Sequence, residues 1–253
     1  MPFSIVAFQE SQDEGGSYAN KAAVADEICT TSGDYLYVPA DVSKLIGAYA
    51  ACGGTTEGAA YLKSPSLRAL AYYDIYPCQE GIKPSGDESL LIHPDLPVDL
   101  VPGEGLEAMV KSNPASEEVH SVVVFLSDGP QLPVTGVIHP VRFTTAITET
   151  VGAWKNGAIT LGQTLPVGRY QIVGAAMWGT SGVAFRFVLK GDGHRPGFIC
   201  HSSEGNHGSS YQRHGRMGVW GEFDSLVPPS VDWLADATSG SAQTGVMDLI
   251  RVG

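Results

Sequence analysis

Residues 165–189 read LPVGRYQIVGAAMWGTSGVAFRFVL, two apolar runs of strand-forming residues joined by a Gly-Thr-Ser-Gly turn, with Gln171 and Arg186 as the polar residues inside them. A solvated antiparallel strand alternates apolar with polar residues. Here Tyr170, Ile172, Gly174, Ala176 and Trp178 share one face of the first run, and Val173, Ala175 and Met177 share the other with Gln171. In the second, Val183, Phe185, Phe187 and Leu189 oppose Ala184, Arg186 and Val188. The stretch reads as a central hairpin buried on both faces. Its second cover is either an intramolecular lid or another subunit.

The rest of the chain has the same character. About a dozen short apolar or alternating runs read as strands, near 4–9, 35–38, 70–76, 105–111, 119–126, 136–146, 158–161, 169–178, 183–189, 218–223, 231–234 and 246–252. Turn chemistry separates them at Asp128-Gly129-Pro130, Asn156-Gly157, Gly191-Asp192-Gly193 and Pro228-Pro229. One short helix is expected, capped by Asp41, with Val42, Leu45, Ile46 and Tyr49 on one face and Gly53-Gly54 as its stop; a weaker one spans Thr56 to Leu62. No strand–helix alternation follows residue 70, and no repeat of 20 to 50 residues appears. The expected fold class is all-β: an antiparallel jelly-roll β-sandwich of about eight core strands over residues 66–253, with residues 1–65 as an N-terminal arm that carries the helix. The polar stretches 79–88 and 113–117 mark no domain boundary, because composition does not change across them.

Composition narrows the function. Charged residues make up only 17%, against roughly 25% in an average globular chain, which leaves neutral surface for assembly. The net charge is −12 and no basic arm is present, so direct or sequence-specific nucleic-acid binding, which needs clustered cations, is not expected. Cys29, Cys52, Cys78 and Cys200 form no C-x-x-C pair and read as free thiols. The apolar run Phe3 to Phe8 is too short for a signal-peptide core and lacks a basic flank, so synthesis in a cytoplasm is expected.

Candidate chemistry is sparse. Between Gly191 and Arg216 lie His194, Cys200, His201, His207 and His214 with Arg195, Arg213 and Arg216. The four histidines suit zinc or copper, but their spacing matches no metal motif, and the bland reading is a polar loop at a sandwich edge. Ser181, Ser202 and Ser203 lack the setting of a nucleophile. The pairs Glu117-Glu118 and Glu104 with Glu107 read as solvated edges or turns rather than a glycosidase dyad. No phosphate loop is present, and no cofactor or catalytic residue is expected. Trp178, Trp220 and Trp233 sit in apolar strand patterns and read as core, which leaves Trp154 as the one tryptophan placed for a sugar platform.

The stretches LPVGRYQIVGA, AFRFVLKGDGHRPG, GVWGEFDS and VPPSVDWLAD with VMDLIRV together resemble the closing strands of jelly-roll major capsid proteins of tailless icosahedral bacteriophages, over about residues 100–253. The resemblance implies an eight-stranded sandwich of two four-stranded sheets that self-assembles, with other capsid proteins, into an icosahedral virion shell, and it carries over no catalytic residue. An acidic chain without a basic arm further suggests that a membrane or another protein lies between shell and genome. The rival expectations are a β-sandwich carbohydrate- or receptor-binding module and, third, a metal-dependent hydrolase.

Overall fold

The computed structural model describes residues 2–12, 17–52, 59–68, 72–75, 79–80, 90–111, 118–200, 210–238 and 240–253. They form four sheets arranged as two sandwiches, one per half of the chain.

Lobe one contains β1 (Phe3–Gln12), β2 (Ala19–Lys21), β3 (Thr31–Ser32), β4 (Tyr35–Tyr37), β5 (Lys44–Cys52), β6 (Ala59–Lys63), the single-turn helix α1 (Pro65–Arg68), β7 (Tyr73–Asp74), β8 (Gln79–Glu80), β9 (Leu90–Ile92), β10 (Val98–Asp99), β11 (Gly105–Lys111) and β12 (Glu118–Ser127). Sheet A runs β1-β12-β5-β10, with β8 and β9 also on β5; sheet B runs β3-β4-β11-β6-β7, with β2 on β11. Every strand pair in these sheets is antiparallel except β5 with β8.

Lobe two contains β13 (His139–Thr148), β14 (Lys155–Ala158), β15 (Thr160–Leu161), β16 (Arg169–Trp178), β17 (Gly182–Val188), β18 (Gly197–Ile199), β19 (Gly221–Asp224), β20 (Ser230–Ala235) and β21 (Gly240–Arg251). Sheet C runs β15-β13-β21-β16-β19 and sheet D runs β14-β20-β17-β18.

The two lobes share one strand order. Taken in chain order, β1, β2, β5, β6, β7, β10, β11 and β12 correspond to β13, β14, β16, β17, β18, β19, β20 and β21; the path β1-β12-β5-β10 becomes β13-β21-β16-β19, and β2-β11-β6-β7 becomes β14-β20-β17-β18. Sheet C is thus the counterpart of A, and D of B. The eight-strand sandwich occurs twice rather than once. The expected boundary after residue 65 falls within sheet B, where β6 pairs with β7, and the first 65 residues supply strands to both sheets of lobe one.

Sheet A is apolar on both faces. Val6, Phe8, Leu45, Ala48, Val122 and Val124 pack against Leu36, Leu62, Leu106 and Val110 of sheet B in one buried cluster. Phe3, Ile5, Ile46, Tyr49, Val123 and Phe125 on its other face are continuous with the core of lobe two, where Phe143, Ile172, Phe185, Phe187 and Trp233 meet.

Two expectations from sequence change. The helix expected from Asp41 is the strand β5. Pairing with β12 slips between Gly47 and Leu45, so Ile46 is an extra residue that shifts the phase, and apolar side chains on both faces then imitate a helical spacing. The residues of the weaker helix within the described range, Ala59 to Leu62, belong to β6. The second change concerns residues 165–189, which form no hairpin: β16 sits between β21 and β19 in sheet C, whereas β17 sits between β20 and β18 in sheet D. The turn is a corner between facing sheets. A Cβ on Gly182 would stand 2.3 Å from the Trp233 ring, so only glycine lets the corner pass. The cover of each strand is intramolecular, residues 210–218 over β16 and lobe one over β17.

Candidate functional site

The described histidines of the Gly191–Arg216 segment lie apart from each other. His194 donates its N–H to Asp192 Oδ1 at 2.9 Å, and its Nδ1 lies 3.9 Å from the exposed Asp41 of lobe one. His214, at φ +59°, lies instead over the outer side of sheet C, where its N–H donates to Asp248 Oδ2 at 2.8 Å. His201 and His207 lie outside the described residues, as do Ser202 and Ser203. Among the described residues no three His, Cys, Asp or Glu side chains form a metal-binding group.

The other candidates have structural partners. Arg213 clamps Asp248 with two hydrogen bonds of 2.7 Å. Burial pushes the Asp248 carboxyl up, but the Arg213 hydrogen bonds, the His214 N–H and the charge of Arg213 outweigh it and hold the group below its usual range. Ser181 is buried, and its carbonyl accepts the Asp236 N–H. Glu104 accepts from Ser66 N and Oγ and from Ser64 Oγ, which caps α1, and Glu107 pairs with Lys63 at 3.0 Å. Glu117 and the side chain of Glu118 lie outside the described residues. Trp220 and Trp233 are core residues, whereas Trp178 ends β16 with 41% exposure. Trp154 is no platform: its ring is covered by the Arg186 guanidinium at 4.2 Å.

That guanidinium is the centre of the joint between the lobes. Arg186 Nε donates to Asp232 Oδ2 at 2.9 Å, and Nη1 donates to Asp26 Oδ2 at 2.5 Å and to the Ile5 carbonyl at 3.2 Å. Farther along β1, Gln9 Nε2 donates to the Ala235 carbonyl at 3.0 Å and Gln9 Oε1 accepts the Gly152 N–H. Ile5 N–H donates to the Arg195 carbonyl, and Val24 N–H to Ala7 O, so the edge of β1 is covered. The lobes therefore stand side by side. Next to this joint a cleft of about 620 Å³ is lined by Glu27, Cys29, Tyr37 and Asp41. Burial, reinforced by Asp26, raises the Cys29 thiol to about 12, so it remains protonated and is a poor nucleophile at neutral pH.

With the inner faces filled, the outer side of sheet B and the β13 strip of sheet C carry exposed side chains among the described residues. On sheet B, Tyr61 projects outward with Tyr18 against it edge-on at 4.9 Å and Tyr72 stacked on it at 5.0 Å, while Lys111 Nζ stands 5.9 Å over Tyr18. Tyr35 and Tyr37 flank the buried Leu36 on the same outer side. Tyr72 has φ +71°, a conformation that costs a bulky residue energy and persists where the surroundings enforce it. On sheet C, β13 alternates strictly, with Pro140, Arg142, Thr144, Ala146 and Thr148 outward and Val141, Phe143 and Ile147 inward. The strand pattern was visible in the sequence, but the tyrosine group was not: its members come from four separate short segments that only the sheet order brings together. No family model, curated protein or solved structure matches the chain.

Proposed function

We propose that this chain is a structural coat subunit that assembles with copies of itself, and with other coat proteins, into an icosahedral virion shell. The observation that carries the reading is the tandem repeat of one eight-strand sandwich, with its lobes joined side by side. The strand order supports a jelly-roll reading of each lobe: four core strands in either sheet, with core strands successive in the chain changing sheet except at the pairs β6-β7 and β17-β18, which stay in one sheet, the architecture of many capsid domains. The core strand pairs are all antiparallel. Exposed Val101 lies just past β10, at the end of lobe one where β1 starts, and exposed Val137, Val167, Leu226 and Val252 lie at the strand ends of lobe two where β13 starts; these ends face the inner layer, a membrane or second protein, in the assembled shell. No enzymatic role is part of the proposal.

Sedimentation velocity of the purified chain, followed by negative-stain imaging, tests the reading. Concentration-dependent capsomers or closed shells are expected. A chain that stays monomeric from micromolar to millimolar concentration overturns it. One observation favours a second reading, a carbohydrate- or receptor-binding module: the exposed tyrosine group on sheet B. Retention of a monomeric chain on immobilised glycans is the result that reading requires.

A further inference from the structure

We infer that the outer face of sheet B is a binding strip for a neutral oligosaccharide, laid along β11 between two groups of tyrosines. The inference adds a ligand to the coat reading and does not require it, because the strip is complete within one chain.

Strand register defines the strip. Asn20, Met109, Tyr61 and Asp74 lie side by side on four strands; two residues along β11, Glu107 stands opposite Lys63, and two further on, Gly105 stands opposite Tyr37. The first row carries one aromatic group, with Tyr18 edge-on to Tyr61 and Tyr72 stacked on it. The last row carries the other. There the Tyr35 ring lies over Gly105, where a Cβ would stand 2.8 Å from its Cδ1, and Tyr37 is the register partner of the same glycine. Four residues of β11 separate the two rows, about 13 Å at the usual rise of a strand. That span takes several sugar rings in line and is too long for one.

Polar groups between the rows are held in place. The buried Glu107 carboxylate pairs with Lys63 Nζ at 3.0 Å and accepts from Asn20 Nδ2 at 3.4 Å, and the same Nδ2 donates to Asp34 Oδ2 at 3.1 Å. Asn20 Oδ1, which has no bond among the described residues, and the exposed Asp74 carboxylate remain as acceptors on either side of β11. A pyranose offers a C–H face that packs on an aromatic ring and a rim of hydroxyls that donate and accept, which is the chemistry this strip complements.

Other occupants fit less well. Tyr18, Tyr35, Tyr37 and Tyr72 are 37–44% exposed, whereas none of the exposed large aliphatic residues belongs to a strand of sheet B, so the face lacks the aliphatic area that a protein contact buries. Residues 1–127 hold 18 Asp and Glu against 6 Lys and Arg, which places the whole net charge of −12 in lobe one and repels a sulfated glycan or any other polyanion. Tyr72 is held at φ +71°; a strained backbone that fixes a ring before the ligand arrives is a recurrent property of binding sites.

Titration calorimetry tests the strip with hexamers of β-1,4-linked glucose, mannose and N-acetylglucosamine, flat extended chains that suit a path along a strand. At least one hexamer is expected to bind with a Kd of about 0.1–1 mM, and its dimer about 10-fold more weakly because it reaches one aromatic group only. Tyr72→Asn removes a ring at one end, and Asn is at ease at positive φ; Tyr35→Ser removes one at the other. Each should weaken binding about 10-fold. Trp178→Ser, which removes an equally exposed ring at the end of β16, should leave it unchanged, and undiminished melting temperatures confirm that the variants fold. Failure of all three hexamers to bind at about 10 mM, an affinity that both tyrosine variants retain, or tighter binding of heparin than of any hexamer overturns the site. Sedimentation of the same samples reads assembly separately. A chain that assembles but binds no hexamer loses the site and keeps the coat reading, whereas one that binds a hexamer and never assembles keeps the site and loses the coat reading.

Discussion

Arg186 shows how one side chain can unite two folding units. It is 2% exposed, and the side chain of Asp26, from the other lobe, is fully buried beside it. Removing a single member of a buried ion group leaves an uncompensated charge, which costs far more than the group as a whole contributes. Arg186→Met is therefore expected to destabilise the chain by about 3–5 kcal/mol, read as a lower urea midpoint, and adding Asp26→Ala should recover part of the loss. Asp248 supplies a pH-dependent counterpart. Its folded-state pKa is depressed, so its ionised form contributes stability above the unfolded value of about 3.9, and that contribution disappears as pH falls through the folded pKa. Stability curves of wild type and Asp248→Asn should run parallel and separated from pH 5 to 8, then converge below about pH 4. A constant gap down to pH 2 would mean that the Arg213 clamp does not depend on the charge of the carboxylate. Arg186 was conspicuous in the sequence as the charge inside an apolar strand; Asp26, in a segment with no strand or helix signal, gave no hint that it was the partner.

At the level of elements, what could be read from the sequence follows from what a strand requires locally. β12, β13, β16, β17 and β21 are long and apolar or strictly alternating, and each lies where its pattern indicates. Short strands such as β2, β9 and β10 hold two or three residues and exist because a longer neighbour supplies the hydrogen bonds, which leaves no local trace. β5 was misread because full burial on both faces erases the period that distinguishes strand from helix. Pairing partners of β16 and β17 were misassigned for a related reason: a tight turn between two apolar strands fits a hairpin and a sheet-to-sheet corner equally. Gly47 carries information that pattern reading overlooked. A Cβ there would meet the Leu91 carbonyl oxygen at 2.7 Å and Ile92 Cα at 3.1 Å, backbone atoms of the neighbouring β9 that cannot rotate aside. Gly47→Ala should cost about 1–3 kcal/mol, whereas Gly33→Ala, in open space but at φ +59°, should lose only the conformational term of about 1 kcal/mol. Paired thermal melts of the two variants measure the difference, and equal losses would show that β9 can retreat from β5.

For the whole molecule, the question is whether two sandwiches with the same strand order behave as two domains or one. The accessible surface is 10551 Å², close to the roughly 10,700 Å² expected of a single compact folded monomer of this size, so the lobes hide as much of each other as parts of one domain do. Sheet A shows how: both its faces are core, one for each lobe. Were lobe two to melt first, Phe3, Ile5 and Phe125 would be stripped of Trp220 and Phe198, with which Phe3 and Phe125 make ring contacts at 5.5 and 5.2 Å, and Asp26 would lose Arg186. Partial unfolding thus exposes a central sheet face and a buried charge together, which makes half-folded states costly. Calorimetry of the isolated chain should show one transition whose calorimetric and van't Hoff enthalpies agree. The stricter expectation concerns Arg186→Met, which weakens the joint without touching the inner core of either sandwich. In a cooperative unit it moves the single peak to lower temperature and leaves it single; in a pair of autonomous lobes it splits the endotherm, and the appearance of two peaks in that variant would show that the lobes fold independently.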